Sequence, residues 1–438
     1  MSGHNPAPSH VQYKYQPEES GPKGAFMPMR TALWLYLFLF FAFFDIHAQY
    51  PILTPFAVSL GAGPALIGWM MGMYSLTHLP GNLLAGVLID RRGGRRYIVA
   101  SLIAAGLILL VQAHASLPWH LLLLRAASGF ALAFLSPACM TLLASLSSDR
   151  EKQGRYMSGH GIVHTLASVV SPAAGAYIVS RAGFSGTFQS LGWLMAATGV
   201  LAYFSIPARR VPQPLAHSEA GDASSGAAAA GNGPESAAAI LPPDPEEREG
   251  RLPVPLRVLL LPFLISCSQG MLFFELPLSQ MGAGDGMVST GVLLSLMSAG
   301  ALVTLSLLFL NRFSPAPRMA SALLGLAACF FALAAVPALP AGAVLFLLGC
   351  AKGILFPALA TFFISLGTEG RMGRIFSLQS IAMSLGSFAG PVAAGQLRAY
   401  VSPYFLAFLL VMTALMLLPR AAACGRDFFL AGPDGRPA

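Results

Sequence analysis

GVLIDRRGGRR, the stretch from Gly86 to Arg96, is a short polar crossing between two long apolar runs. Its polar part, Asp90 to Arg96, holds one acid, four arginines and two glycines. Glycine permits backbone torsions that a side chain forbids, which so tight a turn needs. Arginines concentrated in a short loop place that loop on the cytoplasmic face of a membrane. The reading puts the end of one helix at Ile89 and the start of the next near Tyr97.

Outward from this turn, the chain is a succession of membrane-length apolar segments. They fall near 30–58, 65–89, 97–116, 119–146, 157–180 and 184–206, then near 255–281, 288–310, 318–337, 341–366, 374–397 and 403–419. A run of about 20 apolar residues crosses a bilayer as a helix. Of the 438 residues, 55% are hydrophobic and 10% charged, and the mean hydropathy is +0.66. A soluble domain carries about 25% charged residues. The net charge of +8 follows from topology and is no nucleic-acid footprint: basic residues collect on one side of the membrane. Residues 1–29, polar as far as 26, read as a disordered cytoplasmic N-terminal tail without a signal peptide, and 421–438 as a cytoplasmic C-terminal tail. Residues 207–252, rich in Ala, Gly, Pro, Ser and Glu, read as a flexible cytoplasmic linker between six-helix units at 30–206 and 253–420. Cys139, Cys267, Cys329, Cys350 and Cys424 have neither disulfide nor zinc spacing and read as small apolar residues.

The two units repeat one another. Gly154, Arg155 and Ser158 return as Gly373, Arg374 and Ser377, and Ser168, Pro172 and Ala174 as Ser387, Pro391 and Ala393, all 219 positions on. Gly129, Pro137 and Thr141 return as Gly349, Pro357 and Thr361 at 220, and Asp90-Arg91 as Asn311-Arg312 at 221. Parallel six-helix repeats are an organisation of transporters that bind substrate at the midplane between the halves.

The 86–96 stretch resembles the signature G-x-L-x-D-R-x-G-R-[RK] of the major facilitator superfamily, found between its second and third helices. Gly86, Leu88, Asp90, Arg91, Gly93 and Arg95 match, and Gly94 stands where a basic residue is usual. The resemblance implies an all-α membrane protein of twelve transmembrane helices in two pseudo-symmetric bundles, with both termini cytoplasmic. It implies alternating access to one central cavity. It also implies a latch on the outward-open state: Asp90 against the N-terminus of the eleventh helix near Gly373, and Arg91 or Arg95 against Asp149. Plain topology signalling is the other reading of these arginines.

Charge inside hydrocarbon costs about 3 kcal/mol even on lenient insertion scales, so each buried ionisable residue needs a reason. Asp45 and Glu275 are the only acids within apolar runs, and Arg125 and Lys352 the buried bases; they fall in segments 1, 7, 4 and 10. In the family those four helices line the central cavity. Asp45 lies in FFDIHAQYPILTP, where Gln49 adds a polar face and Pro51 and Pro55 free backbone carbonyls. Burial favours a carboxyl's neutral form, which makes Asp45 the expected proton carrier; a structural ion pair is the alternative. Arg125 opens R-x-x-S-G, which resembles the family's l-x-x-x-R-x-x-q-G with Ser128 in place of the usual Gln. It would tune the carboxyl rather than carry the proton, because arginine stays charged. Glu275, beside Pro277, reads as a second proton site, a substrate contact or a carboxylate reached by water. Lys352, at mid-depth, suits an anionic group. Together Asp45, Gln49, Arg125, Glu275 and Lys352 form the expected cavity set. His47, His78 and His164 are relay candidates, or hydrogen-bonding helix contacts.

The fifth segment carries Ala167, Ser171, Pro172, Gly175 and Ala176, which resembles the family's antiporter motif g-x-x-x-G-P-x-x-G-G. Its partner in the eleventh segment carries Gly386, Gly390, Pro391, Ala394 and Gly395. Small residues at this spacing let helices approach closely, and proline bends them. The expectation is a multi-pass protein of a bacterial inner membrane, most similar to the proton-coupled drug-exporter branch. It would work as a monomer on a small-molecule substrate and protons, within the lipid bilayer, with no bound cofactor, metal or nucleic acid. The proton gradient would supply the energy. A proton-coupled importer of a small, possibly anionic metabolite is the near alternative, and a sensor signalling through 207–252 the distant one. No nucleophile–base pair, metal cluster or phosphate loop points to an enzyme or to ATP-driven transport.

Overall fold

A computed structural model describes residues 22–146, 150–206, 255–283, 286–336, 338–365 and 372–418. The expected linker 207–252, the C-terminal tail and Asp149 lie outside the described residues, as does the tail up to Gly21. In the first half, α1 spans Pro22–Ala48, α2 Tyr50–Ser59, α3 Pro64–Arg92, α4 Gly94–Gln112, α5 Pro118–Leu132, α6 Leu135–Ala144 and α7 Arg150–Ser205. In the second half, α8 spans Leu256–Ala283, α9 Gly286–Ser306, α10 Pro315–Ala335, α11 Ala341–Ser365, α12 Met372–Leu397 and α13 Pro403–Leu417. A 3-10 turn, Leu308–Arg312, stands where the sequence repeats Asp90-Arg91 as Asn311-Arg312. No strand occurs among the described residues.

Two breaks follow from proline chemistry. Pro51 has no N–H to offer the carbonyl of His47, and the chain breaks at Gln49 between α1 and α2. Pro137 has none for Ala133, and α5 gives way to α6 across Ala133 and Phe134. A third break lies inside the 56-residue α7 at Gly183, whose φ of 70° only glycine adopts without strain. It falls where the sequence reading separates the fifth and sixth segments. Nine stretches among the described residues are long and apolar enough to cross a bilayer. Dividing the double-length α7 and adding α3 and the 15-residue α13 accounts for the twelve expected segments.

The turn at the second and third segments is tighter than the sequence reading has it. α3 runs to Arg92 and α4 starts at Gly94, which leaves Gly93 alone between them at φ 82°. Arginine is a good helix former, so the basic residues extend the helices. α1 likewise begins at Pro22, inside the stretch read as a tail.

The halves meet through small residues at the end of the molecule away from the Arg91–Arg96 turn. Gly68 and Gly72, in the first part of α3, lie against the carbonyls of Pro391 and Phe388 in the last part of α12. Gly395 lies against the carbonyl of Pro64. On the other flank, Gly291 near the start of α9 meets Pro172 and Ala176 just before the Gly183 break. A Cβ at Gly72 would stand 2.6 Å from the Phe388 oxygen, so the glycines are what permits the approach.

Candidate functional site: a cavity between the halves

A cavity of about 280 Å³ lies between the halves, on the basic-turn side of these contacts. From the first half, His47 and Tyr50 come from the α1–α2 break, and His164, Thr165, Ser168 and Pro172 from α7. From the second half, α8 gives Phe273, α9 gives residues from Leu294 to Leu305, and α11 gives Lys352, Gly353 and Phe356. Tyr50 and Phe273 stack across the seam, with ring centroids 4.4 Å apart and planes within 7°. The Lys352 ammonium lies 5.7 Å from the centroid of Phe273 and 5.9 Å from that of Phe356. Lys352 and Phe356 are four residues apart on one helix, the spacing that brings side chains together.

Three histidines follow one another along α1 and α7. His47 and His164 meet edge to face at 5.2 Å, and Phe43 packs against both His164 and His160. The Nδ1–H of His47 donates to the Phe43 carbonyl at 2.7 Å, and His160 Nε2 lies 3.2 Å from Ser136 Oγ in a hydrogen bond. His78 is elsewhere, on α3, accepting from Asn82 at 3.0 Å.

On the opposite face of the α1–α2 break, Gln49 bridges the acid and the base. Its amide N–H donates to Asp45 Oδ1 at 3.0 Å, and its amide oxygen accepts from Arg125 Nη1 at 3.0 Å. The residues are 1%, 2% and 5% exposed for Asp45, Gln49 and Arg125. An amide is suited to this place, because it offers a donor to the acid and an acceptor to the guanidinium. The helix-4 motif lacks its usual amide at Ser128, and an amide from the first helix stands beside the arginine instead. The guanidinium also lies over the Tyr74 ring at 4.8 Å. Gly129 lets this happen: it lies against the Tyr74 carbonyl with no room for a Cβ. Asp45 Oδ2 has no hydrogen-bond partner among the described residues.

Of the four membrane charges, then, Asp45 and Arg125 are brought together behind Tyr50, and Lys352 lines the cavity. Glu275 does neither. It accepts from Arg398 Nε at 2.8 Å and Nη2 at 3.2 Å, beyond the C-terminal end of α12. Arg398 is thus the ion-pair partner of Glu275. Gln49, expected in the cavity, is spent on the bridge. In the basic turn, Arg95 donates to the carbonyl of Tyr203 and lies 5.0 Å from its ring centroid, at the C-terminal end of α7 where helix carbonyls are unpaired. Arg91 is exposed. The Asp90 and Gly373 side of the expected latch lies outside what is described. In the helix-5 motif Ser171 is buried and donates to the Ala167 carbonyl, while Gly175 lies against the backbone of Ala48. Gly390 makes the matching approach to Cys267 in the second half.

The sequence reading did not single out the cavity aromatics. Phe356 was within reach through its spacing from Lys352, whereas nothing local marks the Tyr50–Phe273 stack, whose partners lie in different halves.

The family model of the Major Facilitator Superfamily matches residues 35–391. The chain belongs to the major facilitator superfamily. It is a multi-pass membrane protein of that family, whose relatives are named as transporters. Inner membrane transport protein YajR of Escherichia coli is 29% identical over 153 residues, 34% of this chain and 32% of that protein. Multidrug resistance protein B homolog of Mycobacterium tuberculosis is 28% identical over 160 residues, 36% of this chain and 29% of that protein. These matches span about a third of the relatives' own lengths. Among solved structures, a bacterial homolog of the human lysosomal transporter Spinster, inward-facing and unoccupied, superposes with a TM-score of 0.67. The identity is 14%, with 91% of this chain and 93% of that one covered, so this likeness speaks for the fold.

Proposed function

We propose that this transporter couples the inward movement of a proton to the outward movement of a small molecule through the cavity between its halves. The bridge Asp45–Gln49–Arg125 carries this reading. It places an acid with one unpartnered oxygen at a helix break whose other face, His47 and Tyr50, lines the cavity. Loading or emptying the acid changes what Gln49 and Arg125 hold, and so bears on the break that shapes the cavity. Coupling is indirect in this scheme, since proton and substrate occupy opposite faces of one junction. With the basic turn on the cytoplasmic side, the glycine seal closes the outer side and the arrangement faces inward. Outward direction is supported by the helix-5 pattern and by the likeness to the Mycobacterium multidrug resistance protein B homolog.

The test is transport in vesicles with an imposed pH gradient, comparing the unaltered protein with Asp45→Asn. Asp45→Asn should lose gradient-driven accumulation while keeping substrate exchange at equal pH. Gradient-driven transport that survives Asp45→Asn removes the acid from its role, and uptake with the proton gradient in place of efflux reverses the direction.

A further inference from the structure

Both membrane acids are occupied away from the cavity, Asp45 with Gln49 and Glu275 with Arg398. No Asp or Glu lines the cavity among the described residues, and Lys352 is its one charged side chain apart from the histidines. The Lys352 ammonium makes no described hydrogen bond or ion pair; its described neighbours are the two phenylalanine rings. Ring faces steady a cation but accept none of the three N–H bonds strongly. Lys352 is half-buried at the cavity wall, and no protein counter-charge stands beside its ammonium among the described residues.

We infer that the substrate supplies that counter-charge: a small organic monoanion, a carboxylate with an aromatic or similarly flat apolar body. Its carboxylate pairs with Lys352, and its body lies among Tyr50, Phe273 and Phe356. Ser298 offers its hydroxyl to a remaining carboxylate lone pair, while the hydroxyls of Thr165 and Ser168 already donate to the Gly161 and Thr165 carbonyls of their own helix. An organic cation has no partner here and meets an ammonium of its own sign. The cavity, about 280 Å³, sits at the lower edge of the roughly 300–1,000 Å³ usual for small-molecule sites, so the anion is of one-ring size. The assignment rests on the transport reading only in taking this cavity as the substrate site; it does not depend on proton coupling or on direction.

Binding and exchange keep the two apart, because neither needs a gradient. Purified full-length protein is heated with benzoate, phenylacetate or cinnamate, and separately with benzamide and benzylamine. Counterflow of radiolabelled benzoate and phenylacetate is measured in proteoliposomes at equal pH. The carboxylates should raise the melting temperature and exchange, and the amide and amine should do neither. Lys352→Met, which keeps a four-atom stem and removes the ammonium, should weaken carboxylate binding at least tenfold, with Lys352→Arg restoring part of it. Melting of each variant without ligand reports its folding. Binding of benzylamine as tight as that of benzoate, no response to any of the three carboxylates, or unchanged carboxylate binding in a folded Lys352→Met each overturns the assignment. Carboxylate exchange that persists in Asp45→Asn, with no response to a pH gradient in the unaltered protein, would sink proton coupling and leave the substrate class standing.

Discussion

Thr141 and Thr361 make the same hydrogen bond 220 positions apart: each donates to the carbonyl of a proline four residues back, Pro137 and Pro357, at 2.9 Å. The repeat in the sequence is therefore a repeat of local geometry. Gly129 and Gly349 extend it, each meeting a carbonyl of a neighbouring helix, Tyr74 in one half and Met297 in the other. If each half is such a unit, covalent continuity through 207–252 is dispensable. Two pieces separated within that stretch and produced together should co-purify and retain transport. Loss of transport with intact co-purification would instead favour a role for the connecting stretch itself.

Gln49→Leu removes the amide that joins the acid to the base. A buried polar group left unsatisfied costs about 1–3 kcal/mol, and this change strands one on each side. Thermal melts should show a loss at the upper part of that range or beyond it. Gln49→Glu should restore the contact to Arg125 but set a second carboxyl against Asp45, giving transport that depends on pH more steeply than the unaltered protein.

Glu275→Gln should affect stability and spare binding. The ion pair with Arg398 is partly solvated, the arginine side chain being 36% exposed, so about 1 kcal/mol is the expected loss. A large fall in substrate affinity in this variant would return Glu275 to the substrate site that the sequence reading gave it.

Gly72→Val drives a branched side chain into the Phe388 backbone. The halves must part there, at the end away from the basic turn. A cysteine placed at Trp69, whose ring lies 5.4 Å from that of Phe388, should then react with a maleimide added from that side. Reactivity equal in the presence and absence of the valine would mean that the seam is not the outer closure.

Exchange of a monoanion outward for one proton inward carries two positive charges inward. Each charge feels about 2.3 kcal/mol per 100 mV, so about 5 kcal/mol of driving force should follow each 100 mV imposed. Efflux clamped at several potentials with valinomycin measures this, and insensitivity to potential would exclude that stoichiometry.

Much of the fold was legible because bilayer length and proline placement are local signals. Gly183, Pro51 and Pro137 mark breaks that any reader of the chain can place within a few residues. The site was legible by residue type and not by partner. Asp45 and Arg125 stand out as charges among apolar neighbours, but their bridge uses Gln49, an amide read as cavity lining, whose reach to Arg125 depends on how α1 and α5 pack. Glu275 stood out equally and turned to Arg398, because a basic residue just past a helix end lies next to it in space and far from it in sequence. Tyr50 and Phe273 carry no signal at all until the two halves are brought face to face.

The described contacts between α3 and α12 and between α7 and α9, at the end away from the basic turn, are backbone carbonyls, glycines, alanine, aromatic rings and a serine hydroxyl on the Ala173 N–H. Parting them exposes no ion that needs rehydrating, so ionic strength has little to act on there. The opposite side carries the arginines of the 91–96 turn, and the latch expected of that turn would weaken as salt shortens the Debye length to about 3 Å at 1 M. Added salt should thus loosen one door of this transporter and leave the other untouched, giving the experimenter a handle that selects between its two resting states.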